Sequence, residues 1–197
     1  MSSFLLAGVT PVTLTDNIKE EQLLKFGPFQ TWLTTLQSSL KRQDEVQHPF
    51  HNDPYTLQSV TIQSVDWFGS NIGFVKLEAV VKNRERKLPG IAFLRGPSVA
   101  VLMILQPSDS KTERWVIMTE QPRIPTGSLR FLEIPAGMTD SAGSFAGSAA
   151  KVITEETGFD FPSQELKDLT RLAIGKDAIW EDDPLPAGPT DDIRTYI

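Results

Sequence analysis

The sequence predicts an α/β fold of mixed helix and strand layers, on three observations. Apolar side chains in the first fifty residues recur at helical spacing. Between Thr56 and Thr119 short strand-like runs follow one another with no helix among them. A single well-formed helical stretch then occupies residues 148–157. A doubly wound nucleotide-binding sheet would alternate helices with strands, and this pattern excludes it.

In chain order, Asp16 is placed to cap a helix with Ile18, Leu23 and Leu24 on its apolar side. Gly27-Pro28 interrupts it, and Phe29, Trp32, Leu33, Leu36 and Leu40 mark a second helix in which Trp32 reads as core. Residues 43–54, polar with two prolines, read as a linker. The run 56–65 alternates Leu57, Val60, Ile62 and Val65 imperfectly with polar residues. Gly69-Ser70-Asn71 supplies turn chemistry before a partner strand at 74–81. Residues 91–94, 99–105 and 115–119 are three further strands, and 82–87 is a solvated, charged hairpin tip. Trp67 reads as a half-buried sheet aromatic. Ser163 caps a short helix through Leu169, and from Gly175 onward Pro, Gly and Asp predict an irregular tail.

The chain has 197 residues, with 19 basic and 25 acidic side chains and a net charge of −6. That balance argues against a nucleic-acid partner, which requires a basic face. Without cysteine there is no disulfide, thiolate zinc site or thiol nucleophile. The two histidines, His48 and His51, share one loop, which disfavours a catalytic network of scattered histidines. The longest apolar run, 99–105, falls far short of the roughly 20 residues of a membrane span, so no membrane partner is expected. Residues 1–8 are apolar but short, with no positive residue before them; the cytosol is the expected compartment.

Chemistry concentrates in residues 120–159. A loop, Glu133-Ile134-Pro135-Ala136-Gly137, leads through a Gly/Ser/Ala segment to a helix that ends in Glu155-Glu156 before Gly158. Neighbouring carboxylates at a helix C-terminus oppose the helix dipole and each other. The pair is either simply solvated or neutralised by a divalent cation, and the residues alone leave both readings open.

The spacing resembles the Nudix box: Gly, five residues, Glu, seven residues, then Arg-Glu-U-x-Glu-Glu-x-Gly-U, where U is bulky and apolar. Gly137, Ile153, Glu155, Glu156, Gly158 and Phe159 fall into that register without insertion. The preceding Glu-Ile-Pro-Ala-Gly and Glu120-Gln121-x-Arg123 look like the ADP-ribose and ADP-sugar diphosphatase branch. VDWFGSNIGFVKLEAVV at 65–81, LPGIAFLRGPSVAVLMIL at 88–105 and FQTWL at 29–33 are similar to its plant-type members.

The resemblance implies a Nudix-like α/β/α sandwich with a mixed sheet, preceded by a helical and β N-terminal extension. It places the extension and linker at 1–55, the Nudix-like domain at 56–174 with a dimerising β part at 57–94, and the tail at 175–197. It implies hydrolysis of an ADP-sugar or ADP-ribose to AMP and a sugar phosphate, with Mg²⁺ or Mn²⁺ as cofactor. Glu155 and Glu156 would be catalytic and hold the metal with the main-chain carbonyl of Ala136. Arg123, Glu133 and Arg95 would contact the nucleotide sugar, and the protein would be a homodimer.

Two departures qualify that expectation. The box's Arg-Glu is Lys151-Val152, so one of three metal-facing carboxylates is an isopropyl group. A loss of ~3 kcal/mol in transition-state stabilisation slows the reaction by about two decades. Gly143 stands at the box's first glutamate, with Asp140 nearby. Beyond Ala173 no loop matches the branch's general-base loop, and none of Glu181, Asp182, Asp183, Asp191 or Asp192 can be assigned that role. The alternatives are an inactive Nudix-fold module that binds nucleotides or proteins, or a truncated product.

Overall fold

The computed structural model describes residues 2–138, 145–169, 172 and 193–196. They fall into two compact units, one through residue 96 and the other from residue 97. The first 13 residues are not helical. Strands β1 (Ser3–Leu6) and β2 (Thr10–Thr13) form a hairpin whose turn holds Ala7 and Gly8 at positive φ. Phe4, Leu6 and Val12 share the period of a strand and pack on the core.

The helix expected after Asp16 begins later, as α1 (Glu20–Lys25), where the Lys19 N–H donates to Gln22 Oε1 at 2.9 Å. Helix α2 (Gly27–Lys41) follows with proline in its first turn, where a missing N–H costs nothing. Trp32 lies 5.7 Å from the Phe29 ring and packs on the core, as its spacing predicts.

Strands β3 (Thr56–Phe68), β4 (Asn71–Lys82) and β5 (Ile91–Arg95) complete a mixed sheet in the order β1-β2-β3-β4-β5. Strand β2 runs parallel to β3; the other pairings are antiparallel. The imperfect alternation in β3 has a physical cause. Register shifts between Leu57 and Ser59 and between Ile62 and Ser64 fall where the apolar spacing lengthens from two residues to three. Val60, Ile62 and Val65 therefore all face the core with Val75, Leu77, Leu94, Leu23 and Phe29. Trp67 is partly buried against the same core. The tip at 82–87 is closed by a Lys82–Lys87 bridge, with the Asn83 side chain accepting the N–H groups of Glu85 and Arg86.

The second unit is built on β6 (Ser98–Val101), the middle strand of a sheet ordered β11-β6-β12. The apolar run expected as one strand at 99–105 divides, because β6 is buried in alternation whereas β7 (Ile104–Leu105) is exposed and pairs only with β8 (Trp115–Val116). The strand expected at 115–119 also divides, and its last residue opens β9 (Thr119–Arg123). Strand β9 forms a hairpin with β10 (Ser128–Glu133) across a 3-10 turn and Gly127 at positive φ. Strand β11 (Ala136–Met138) pairs antiparallel with β6, and helix α3 (Phe145–Thr157) packs Ala149, Val152 and Ile153 on Val99 and Val101.

Ser163 opens a 3-10 turn, Ser163–Glu165, in place of the longer helix expected. Residues 175–192 of the expected irregular tail lie outside the described residues, and β12 (Ile193–Tyr196) pairs parallel with β6. That corrects the expectation for those four residues, three of which favour strands. The α/β class with mixed sheets is as the sequence predicts.

Candidate functional site

Helix α3 owes its position to a stripe at i, i+3 and i+4: Ala149, Val152 and Ile153, all buried. It ends at Gly158, whose positive φ stops the helix while its N–H bonds to the Thr154 carbonyl at 3.0 Å. The two carboxylates before that stop have different surroundings. Glu155 is 63% exposed and pairs loosely with Lys151, one turn earlier, at 3.9 Å. Glu156 follows the buried stripe by three and four residues and is half-buried.

Strand β9 meets Glu156. Thr119, Gln121 and Arg123 alternate onto one face of that strand. Gln121 Nε2 donates to Glu156 Oε1 at 3.3 Å, and Thr119 Oγ1 lies 3.4 Å from Oε2. The Thr119 hydroxyl has a second acceptor, the Glu133 carbonyl, at 3.4 Å. Glu133 sits opposite Thr119 in the hairpin, and its Oε1 accepts from Arg123 Nε at 2.5 Å. On the other face, Arg130 donates to both oxygens of Glu120 at 2.9 and 3.1 Å, which raises the guanidinium pKa further.

Four of the sequence-predicted residues, Glu155, Glu156, Arg123 and Glu133, thus lie on α3 and the β9–β10 hairpin. Ala136 opens β11 beside Gly137. Arg95 ends β5 and belongs to the first unit. Asp140, Gly143 and the acidic residues from Glu181 to Asp192 lie outside the described residues.

Val152 is 5% exposed. A Cβ added at Gly137 would stand 2.7 Å from Val152 Cγ2, so the box's first glycine and this valine pack directly on each other. Among the described residues no three His, Cys, Asp or Glu side chains group as a metal cage. The donors that the resemblance implies, two carboxylates and a main-chain carbonyl, are hard oxygens, the chemistry that Mg²⁺ or Mn²⁺ takes together with waters and phosphate oxygens.

Sequence reasoning gave Thr119 and Gln121 no role. The signal was there: Thr119, Gln121 and Arg123 have strand alternation, hidden because the strand was expected to stop at Thr119.

No family model matches the chain. It is similar to Nudix hydrolase 14, chloroplastic, of Arabidopsis thaliana: 37% identity over 172 residues, covering 86% of this chain and 52% of that protein. The chain spans about half the length of the relative it matches. Among the described residues no helix is long and apolar enough to cross a membrane.

Proposed function

This chain belongs to the Nudix superfamily, and from that premise we propose that it hydrolyses the diphosphate of an ADP-sugar or ADP-ribose. Water bonds to one phosphorus, the bond from that phosphorus to the bridging oxygen breaks, and AMP and a sugar phosphate leave. The observation that best supports this reading is the half-buried Glu156 carboxylate, engaged by Thr119 and Gln121 on the strand that carries Arg123.

Glu156, Glu155 and the Ala136 carbonyl would hold Mg²⁺ or Mn²⁺. When bound, the cation offsets charge on the diphosphate and lowers the pKa of a water. The Arg123 guanidinium binds the diphosphate, and the Glu133 bond to its Nε fixes the plane before substrate arrives. The protein is proposed as a homodimer, which sedimentation would show as twice the chain mass. The related protein's name places it in the chloroplast; a fluorescent fusion separates that compartment from the cytosol expected from the sequence.

The test is an ADP-sugar and ADP-ribose panel with Mg²⁺ or Mn²⁺, read as AMP release. Release by the wild-type chain, with loss of about two decades in Glu156→Gln, is the expected result. No release with either metal would reject hydrolysis. The burial of Val152 favours one second reading, a module that binds the nucleotide without cleaving it. Calorimetric binding of ADP-ribose without AMP release would establish that alternative.

A further inference from the structure

Strand β5 is an edge of the first unit's sheet, with β4 as its one neighbouring strand. The Ala79 N–H bonds to the Gly90 carbonyl at 2.7 Å, and antiparallel pairs alternate from there. Ala92 and Leu94 therefore turn their backbone groups to β4, whereas Ile91 and Phe93 turn theirs outward. The devices that usually blunt such an edge are missing: β5 holds no lysine or proline, and its register with β4 runs without a bulge.

Its exposed side chains are apolar as well. Ile91 is 62% and Phe93 41% exposed, on the sheet face away from Val75, Leu77 and Leu94. Phe93 stacks on Phe74 with ring centroids 5.2 Å apart, and Phe68 meets Phe74 edge-on, also at 5.2 Å. The three rings form a row across β3, β4 and β5 that stays outside the core cluster and ends at the open edge.

An edge of this kind is complementary to itself. Two copies of β5, set antiparallel about a two-fold axis at Phe93, place Phe93 opposite Phe93 and Ile91 opposite Arg95. Glu78 stands beside Ile91 in the β4–β5 register, so the same axis brings the second copy's Arg95 toward Glu78, twice over. A foreign strand would match the backbone groups alone; a second copy also matches the ring row and the charges.

We propose that β5 is the surface through which two copies of this chain pair, joining their five-stranded sheets edge to edge. This inference rests on the homodimer proposed above and names its surface.

The chain has no cysteine, so single cysteines report the register directly. Phe93→Cys places the two substituted residues in a hydrogen-bonded pair at the axis, with Cα atoms about 5.5 Å apart, within disulfide range. Ile91→Cys places them on opposite sides of the axis, about 14 Å apart and too far to bridge. Under mild oxidation Phe93→Cys is expected to run as a linked dimer on a non-reducing gel, and Ile91→Cys as a single chain. Equal linking of the two, or none in Phe93→Cys, overturns the β5 assignment. Phe93→Lys, which sets two ammonium groups together, is expected to weaken dimerisation about a hundredfold in sedimentation equilibrium while keeping a cooperative thermal melt. A folded Phe93→Lys that associates as wild type does overturns the assignment and leaves the homodimer standing. Wild type that sediments as a single chain removes both together. If Phe93→Lys fails to fold, the two cysteine variants decide.

Discussion

At position 152 the box spacing asks for a carboxylate, and the chain has an isopropyl group sealed against Gly137. Restoring glutamate there would push a charge into a cluster of Val99, Val101, Ala149 and Ile153. Val152→Glu is therefore expected to lower stability by about 3 kcal/mol, read by denaturant unfolding. Unchanged stability would mean that position 152 has access to the site after all. Gly137→Ala tests the same contact from its other side. The added methyl should cost about 1–3 kcal/mol, and Val152→Ala in the same chain should recover part of it. The place of Glu155 and Glu156 in the last turn of one helix was legible, because spacing along a helix is fixed by its pitch. Their different surroundings were not, because those depend on which strand meets the helix.

Among elements, the polar stretch after α2 is organised around Gln43, which is 4% exposed. Its Nε2 donates to the Leu40 and Tyr55 carbonyls at 2.8 and 3.0 Å, and its Oε1 accepts from Tyr55 N–H at 2.7 Å. Gln43→Leu removes all three bonds and is expected to cost about 3 kcal/mol in unfolding free energy. A cost near zero would show that the clamp is not needed to seat β3. Near the β4 hairpin tip, the Lys87 ammonium bonds Glu78 at 2.8 Å and holds that carboxyl below its ordinary pKa. A carboxyl with a depressed folded-state pKa contributes stability above its unfolded value and loses it as pH falls through the carboxylate range. Glu78→Gln should flatten the acid limb of the stability–pH curve; an unaltered limb would contradict the pairing. Strands β3 and β4 could be read from their long apolar patterns, and the shorter β5 from its continuous run Ile91-Ala92-Phe93-Leu94. The β1–β2 and β9–β10 hairpins and β11 could not, since segments of three to six residues hold too few apolar positions to reveal a period.

For the whole molecule, the acidic balance argued against a nucleic-acid partner and the absent cysteine excluded thiol chemistry before any element was placed. The mixed-sheet α/β class was legible too, because no helix interrupts the strand block between Thr56 and Arg123. What the sequence could not convey was the pairing of distant segments: β9 with the end of α3, or β11 with β6. Such contacts are set by packing across tens of residues. The central claim is that this chain binds a nucleotide diphosphate through a cation on Glu156. A crystal grown with Mn²⁺ and a non-hydrolysable ADP-ribose analogue tests it most directly. The account predicts an anomalous manganese peak at about 2.2 Å from a Glu156 carboxylate oxygen, also touching the analogue's phosphates. Analogue bound elsewhere, or Glu156 still bonded to Thr119 and Gln121 with no manganese beside it, would contradict the account.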